Sequence, residues 1–494
     1  MSALQNAIEY LLLHPNDGND IEARGVYLEC KKVVENASKY AINRVYRVLN
    51  EHTPEEIANN LSKYTDFVRW ESSGIYETRG DISVDPFAHS ERIYNPDTYF
   101  DDHGKFQPGL LADHIAENGQ LITIRDMGQE IVHLSAGVYH KEEGENGDSF
   151  VLAMLQPILG HRLEEVKKHH TTELLNQVRL RTYRDYFEFA KESIELLPLE
   201  NGILNLETLE LLPYDGKHLF LFKIPVRYDP RADCPIFRRF LREILYPKDV
   251  PLIEEMIGYC LWRDYYIKKG FMLVAEGNNG KSLLCAAVSA FLGIGNFSTE
   301  SLTKLSESRF STYWLRDRLA NIYSDISNRA VKETGKFKML TGDDWCDYEI
   351  KGGKSGQFLN YAKMIFSCNE IPDARDDSDA YFDRWNLVIF PWTFVPKTKK
   401  KCAPNERPSK DKDKYLKELT TNAELSGILN LALRALKRLR KAGRFSSNMT
   451  TQETKLKYIR MSNSLKAFAE ENNRFSADIS PGISAEDFRQ RYHK

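Results

Sequence analysis

Apolar residues recur at three- and four-residue spacing through AINRVYRVL and PEEIANNLSKYTDFVRW, which predicts a mostly helical stretch to about residue 95. The pattern then shortens. FQPGLLADHIAENG predicts one helix, and QLITIRDMGQEIVHLSAGVYH predicts short strands broken by turns. HRLEEVKKHHTTELLNQVRLRTYRDYFEFAKESIELLPL returns to helical spacing and predicts two helices. NGILNLETLELLPYDGKHLFLFKIPVRYDP alternates in strand fashion around the turn signals Asn201-Gly202 and Asp215-Gly216. CPIFRRFLREIL and DVPLIEEMIGYCLW are amphipathic helices. From Lys269 the rhythm is that of an α/β protein. Four apolar runs, Phe271–Ala275, Leu319–Tyr323, KMIFSC and NLVIF, are separated by helical spacing, which predicts a mainly parallel sheet covered on both faces. After Pro396 the segment KTKKKCAPNERPSKDKDK has no apolar period and reads as an exposed linker. LSGILNLALRALKRLRKAGRF is a well-marked helix, and YIRMSNSLKAFAEENN and AEDFRQRY predict further helices of a small terminal domain.

Composition narrows the classes of function. With 494 residues the chain exceeds one core and is expected to form two to four domains. A net charge of −3 excludes a globally basic nucleic-acid binder, so any contact with DNA must come from local basic elements. No run approaches the roughly 18 apolar residues of a membrane span. The stretch MSALQNAIEYLLLHPNDGND carries acids and no basic leader, so a cytoplasmic protein without a membrane partner is expected. The seven cysteines are scattered with no CxxC pair, which indicates neither a zinc site nor a disulfide framework. His169 and His170 are adjacent and point apart on a helix, as exposed residues do.

The segment FMLVAEGNNGKSLLCAAVSAFLG carries the most specific chemistry. A buried strand is followed by a glycine-bearing loop, and Lys281 and Ser282 open an apolar helix. This is the setting of a phosphate-binding loop. Gly277 and Gly280 allow backbone amides to turn inward around phosphates, and the helix N-terminus adds partial positive charge. Gly277, Asn278, Asn279, Gly280, Lys281, Ser282 and Leu283 are the expected nucleotide contacts, with Lys281 on the β- and γ-phosphates and Ser282 on Mg²⁺. The usual first glycine of GxxxxGK[ST] is Ala275 here. The alternative is a glycine-rich turn before a core helix.

Such a loop needs an acid at the end of a second strand to hold the metal and activate water. RLANIYSDI places Asp325 there, about 45 residues after the loop; a helix-capping acid is the alternative. KMIFSCNEIP ends a third strand at Asn369, whose amide can contact the γ-phosphate or the attacking water, unless it is only a turn residue before Pro372. Between Asp343 and Asn369, the arms YEI and QFLNY flank Lys351-Gly352-Gly353-Lys354, which reads as a hairpin with a basic glycine tip or as an ordinary exposed turn.

The order GNNGKS, SDI, FKMLTGDD, FSCNEIPDARDDSDAYFDRW resembles the superfamily 3 helicases, and within them the phage/plasmid primase group related to the poxvirus primase-helicase. YFDDHGKFQPGLLADHI with GVYH, NGILNLETLELLPYD with CPIFRRFLREIL, and AELSGILNLALRALKRL extend the resemblance over roughly residues 98–470. It implies an AAA+-like core at 246–395, an α+β accessory domain at 98–245, and a linker with a helical or winged-helix-like domain at 396–494, after the helical N-terminal region that the periodicity places at 1–97. It implies a ring, usually a hexamer, with ATP and Mg²⁺ between neighbouring subunits and single-stranded DNA in a central channel, moving 3′ to 5′ in replication of a virus, plasmid or integrated element. Arg384, fifteen residues after Asn369, then matches the arginine that reaches the neighbour's γ-phosphate, with Arg375 a weaker candidate. A guanidinium suits that task because it stays charged and binds phosphate bidentately; a salt bridge to Asp379 or Asp383 is the alternative. Lys351 to Lys354 match the hairpin that grips the DNA backbone in the channel. Lys338 falls in matching text and contacts either nucleotide or Asp343 or Asp344, while Glu349 is structural. The lysine run Lys397–Lys401 reads as solvated, and the terminal helices as a possible reader of duplex origin DNA.

Relatives of this kind often carry a primase, which needs an acid pair on an apolar strand. Asp81 and Asp85 lie in loop-like text, so no primase centre is expected and a separate primase is the implied partner. Two other classes share the loop, the acid and the arginine: a non-unwinding ATP-driven initiator, loader or packaging adaptor, and a small-molecule P-loop kinase. Strand displacement separates the first from a helicase, and the basic hairpin argues against the second.

Overall fold

The chain divides between Tyr94 and Asn95. The computed structural model describes residues 95–462 apart from 126–127, 142–146, 191, 215–217, 327–332, 351–354, 375, 377, 399–402 and 448. The expected helical region up to residue 94, Asp81 and Asp85, the turn at Asp215-Gly216, the hairpin tip Lys351 to Lys354, Arg375, Lys399 to Lys401 and the last predicted helix lie outside the described residues.

The first part is a small α+β layer. Helix α1 (Pro108–Asn118) begins at a proline, whose missing amide costs nothing at that position. Strands β1 (Leu121–Ile124), β2 (Glu130–Ser135) and β3 (Val138–Lys141) follow as an antiparallel meander, as their short alternating runs predict. Helix α2 (Lys168–Thr182) packs on α1, and β4 (Tyr183–Arg184) joins β1 in parallel.

The second expected helix breaks up. Only Tyr186–Ala190 is helical, and β5 (Leu196–Leu199) turns back on β6 (Gly202–Asn205), which pairs with β7 (Leu211–Leu212). Pro198 cannot sit in a helix interior, and the Asn201 side chain fastens the turn to the backbone of Tyr228. HLFLFKIPVR forms no strand of its own; Ile224 makes a single bridge to Leu199.

Helices α3 (Pro235–Ile244) and α4 (Val250–Cys260) lead into the central sheet. Its strands are β8 (Gly270–Val274), β9 (Phe297–Ser298), β10 (Ala320–Ile326), β13 (Lys363–Cys368) and β14 (Trp385–Ile389), in the order β14-β8-β13-β10-β9 and parallel throughout. The sequence accounts for four of these. It misses β9, whose two residues are too few to show a period. Helix α5 (Lys281–Leu292) follows β8 and α6 (Gly335–Leu340) follows β10. The hairpin of β11 (Trp345–Glu349) and β12 (Ser355–Leu359) is antiparallel with Trp345 opposite Leu359.

Alternation along β8 divides the core in two. Phe271 and Leu273 face α4, α5 and the long helix near the C-terminus, while Met272 and Val274 face α6, the hairpin and Trp385. The expected linker is bounded by a two-stranded parallel ladder, β15 (Thr393–Val395) with β16 (Glu406–Pro408). Helices α7 (Lys412–Leu419), α8 (Asn422–Ala442) and α9 (Thr451–Ser462) follow. The sequence groups α8 with a terminal domain, yet its apolar face packs directly on α3 and α4, and Gly427 approaches the backbone of Asp233 too closely for a side chain. Among the described residues no helix is long and apolar enough to cross a membrane.

Candidate functional site

The loop between β8 and α5 is shaped by its glycines. Gly277 has φ 135° and Gly280 φ 88°, values that side-chain-bearing residues rarely adopt. At Gly280 a methyl group would also come within 2.6 Å of Ile244 Cγ2, whereas at Gly277 it would meet open space. Asn279 folds over the loop and donates to the Gly277 carbonyl at 2.9 Å. From the far side, the Phe394 amide donates to the Asn278 carbonyl at 2.6 Å, which ties β15 to the loop. Ala275, the non-glycine at the start of the motif, is the buried residue just after β8, so its methyl group is accommodated by the core.

The first three amides of α5 have no partner within the helix, and they sit behind this loop. Lys281 is 5% exposed. Its ammonium donates to the Ala275 carbonyl and to Asn369 Oδ1, the latter at 3.2 Å. Burial lowers its pKa from the ordinary lysine value, and Asp325 nearby opposes that shift. No ion pair joins Lys281 to a carboxylate among the described residues, so a desolvated cation faces the cleft with only neutral partners.

Strand ends supply the opposite wall. Asp325 is the penultimate residue of β10, exposed beside Ser324, and the strand runs one residue further than the acid. It caps no helix. A register shift between Tyr323 and Ile326 accompanies this exposed pair. Asn369 follows the last residue of β13. A cleft of about 550 Å³ gathers the whole loop from Gly277 to Leu283 with Asp325 and Asn369.

Several residues of this cleft carry no motif. Phe240 and Ile244 come from α3, Phe394 from β15, and Tyr415 from α7. Lys410 reaches Glu243 at 2.6 Å and lies over the Tyr415 ring at 4.3 Å, and Tyr415 also donates to Glu243 at 3.0 Å. The segment after β16, read from sequence as a solvated linker, is therefore folded back as a wall of the cleft. Its lysine density masked this, because the pairing acid lies 167 residues earlier in the chain.

Arg384 is not in the cleft. It precedes the edge strand β14 and donates to the Thr341 carbonyl at 2.7 Å. Neither expected partner holds it: Asp383 pairs with Lys269 at 3.1 Å and Asp379 with Lys455 at 3.6 Å. Lys338 pairs with Asp376 at 2.9 Å, not with Asp343 or Asp344. Burial would raise the Asp376 carboxyl, but hydrogen bonds from Ser378, Thr334 and Lys338 hold it well below the usual carboxylate range. Glu349 pairs with Arg309 at 3.1 Å on the surface of the hairpin. His169 and His170 do not point apart on α2: their ring centroids lie 3.9 Å from each other, His169 is exposed, and His170 is half-buried beside Phe106, where it closes a capping contact with Lys167.

Two family descriptions match separate parts of the chain: "D5 N terminal like" over residues 117–246, and "Family of unknown function (DUF5906)" over residues 273–384. A protein described as putative helicase 121R, from Invertebrate iridescent virus 3, is 24% identical over 249 residues, which is 47% of this chain and 26% of that protein. The alignment thus spans about a quarter of the viral protein's length. Two apo structures of the NrS-1 C-terminal region are similar at 14% identity, with TM-scores of 0.45 and 0.43; they cover 74% and 78% of this chain and 76% and 85% of theirs. The chain is thus D5-like over residues 117–246 and is similar over 249 residues to a protein named as a putative helicase.

Proposed function

We propose that the chain is the motor subunit of a superfamily 3 DNA helicase built on a P-loop ATPase core of the AAA+ kind. The reading rests on one observation: the glycine loop, Lys281, Asp325 and Asn369 converge on a single cleft although they come from three different strand ends. The residues fit a nucleoside triphosphate with Mg²⁺. A buried, unneutralised ammonium and the free amides of α5 face the same space, which suits polyanionic phosphate. Ser282 and Asp325 are exposed to that space and would hold Mg²⁺. ATP would supply the phosphoanhydride and Mg²⁺ would neutralise its oxygens. Within that frame Lys281 binds the terminal phosphates, Asp325 orients the attacking water, and Asn369, already bonded to Lys281, reads whether the terminal phosphate is present.

Among the described residues no arginine of the same subunit lines this cleft. Arg384, held at the sheet edge, would act on a neighbour's cleft, so hydrolysis requires a ring, expected to be a hexamer. Single-stranded DNA would thread its centre past the hairpins, and movement is 3′ to 5′. The relative named as a helicase and the D5-type match support replication of a virus or related element as the setting.

The test is hydrolysis, strand displacement and assembled mass, each with ATP and single-stranded DNA. Lys281→Ala should lower hydrolysis on the order of 100- to 1,000-fold, as removal of a phosphate-facing donor does. Arg384→Ala should bind nucleotide and fail to hydrolyse it, and mixing it with Lys281→Ala subunits should restore some turnover at mixed interfaces. A strictly monomeric wild type, or full activity in Lys281→Ala, would overturn the reading. Normal hydrolysis without displacement of a 3′-tailed duplex would favour an initiator or loader.

A further inference from the structure

A larger cavity, about 810 Å³, lies between the hairpin and the residues that follow β4. It shares no residue with the nucleotide cleft. Its volume is in the range of pockets that take small molecules or single nucleotides.

Three large apolar side chains stand exposed at its rim: Phe187 at 55%, Trp345 at 49% and Leu359 at 45%. Trp345 and Leu359 are cross-strand partners on the hairpin, and Phe187 comes from the short helix after β4, its ring 6.0 Å from that of Trp345. Deeper in, Arg316 is almost fully enclosed, its side chain 3% exposed. The rings of Tyr313 and Tyr348 lie 4.9 Å from its guanidinium. Its Nε and Nη1 have no hydrogen-bond acceptor. The carboxylate next to it, Asp317, stands 3.6 Å from Nε, too far for a hydrogen bond, and is already taken by Lys141 at 2.6 Å and Tyr186 at 2.5 Å. Those two nitrogens are themselves sealed from solvent, so Arg316 serves as part of the cavity wall, held by the tyrosine rings and the charge of Asp317.

Charge selects the kind of ligand. Arg125, Arg263 and Arg316 line the cavity, and so do Asp264, Asp317 and Asp343. With three cations balanced by three acids the pocket has no net attraction for phosphate. A neutral, flat group with acceptors and donors on its edge meets all of these walls: its faces stack on the aromatic rim, its acceptors meet Arg125 or Arg263, and its donors meet Asp264 or Asp343.

We propose that this cavity receives a base of single-stranded nucleic acid, stacked on Trp345 and Phe187. This deepens the helicase reading and rests on it. The backbone would run along the hairpin while one base turns inward beneath it. Trp345 belongs to the hairpin and Phe187 to the accessory layer, so an inserted base would bridge two parts of the subunit and register the hairpin's position.

The experiment compares full-length wild type with Trp345→Ala and Phe187→Ala, titrating a labelled single-stranded oligonucleotide and an abasic strand of equal length, in the presence of ATP. Stacking of one base is worth enough to change affinity by about 10-fold. Wild type should bind the base-bearing strand about 10-fold more tightly than the abasic one, and both variants should lose that preference while still binding the abasic strand like wild type. Equal binding of the two strands by wild type, or an undiminished preference in Trp345→Ala, overturns the proposal while leaving a phosphate-gripping helicase intact. A changed assembled mass in the variants with the preference retained makes the rim a subunit contact and also overturns it. Failure of wild type to bind either strand sinks this proposal together with the helicase reading, a pattern distinct from the other outcomes.

Discussion

The two cavities are built by opposite means. The cleft around Lys281 is assembled around a loop of consecutive residues, Gly277 to Leu283, placed by one strand and one helix, with single residues added from two neighbouring strand ends. The larger cavity draws on the helical turn after β4, the segments before β8 and β10, and the hairpin, and no two of its key residues, Phe187, Arg316 and Trp345, share an element. A site of the first kind depends on local backbone conformation. One of the second kind depends on the packing of the accessory layer against the sheet. Substitutions should therefore divide: backbone changes should damage the cleft and spare the cavity, and loss of contacts between layers should do the reverse.

The largest effect that separates them is expected at Gly280. Alanine there meets both a left-handed backbone and Ile244 at 2.6 Å, and Ile244 is fixed in the core. Together these should cost about 2–3 kcal/mol of local stability and most nucleotide affinity. Gly277→Ala has only the backbone penalty, because its methyl group meets open space. Nucleotide titration should rank wild type above Gly277→Ala and both above Gly280→Ala, with the base preference of the hairpin cavity unchanged in all three. Equal affinities for the two alanine variants would remove the role assigned to Ile244 as a backstop.

A smaller and opposite effect is expected at Lys141. Its ammonium meets Asp317 at 2.6 Å, at the junction of β3 with the loop before β10. Burial would raise the Asp317 carboxyl, but Lys141 and Arg316 hold it below the ordinary value. Lys141→Met removes one partner of a mostly buried carboxylate; after discounting for the partial exposure of Lys141, about 2 kcal/mol of stability should be lost. The larger cavity should be disturbed, since Asp317 lines it, while hydrolysis at saturating ATP should hold. Denaturant unfolding and the abasic-strand comparison check this. Unchanged stability would mean that Tyr186 alone is enough to hold Asp317.

The same division explains what the sequence made legible. The four main strands, the loop and its helix are legible because each is a run of adjacent residues with a period or a turn signal, and Asp325 and Asn369 stand out because each follows an apolar run. The strand Leu196–Leu199 was read as helix because IELLPL carries helical spacing, and only Pro198 and its pairing with Gly202–Asn205 decide otherwise. Phe394, Lys410 and Tyr415 in the cleft were invisible because folding the lysine-rich segment back depends on Glu243 and on the β15–β16 ladder, both long-range pairings. Arg316 was silent for the same reason. An arginine in WLRDRL has nothing in its neighbours to show that three tyrosines enclose it.

The smallest expected effect tests the accessory layer alone. On β2, the His133 ring stacks on Phe150 at 3.8 Å and stands 5.7 Å from His140 on β3. Burial, reinforced by His140, pushes the His133 imidazole down from 6.5 to about 4, and burial and then Lys223 lower His140 in the same direction. As pH falls, the unfolded chain takes up these protons first, near 6.5, while the folded chain resists until lower pH. The stabilisation is thus complete above about 6.5 and is progressively lost toward 4, so stability rises with pH across that window. Thermal melts of the wild type should fall between pH 7 and pH 5, and those of His133→Phe, which keeps the stack and cannot be protonated, should fall less. An equal fall in both would place the acid sensitivity elsewhere, with the carboxylates that hold the sheet side of the molecule as the next to examine. Among the described residues no histidine lines the cleft around Lys281, so the proposed nucleotide affinity, measured below the melting range, should follow neither profile.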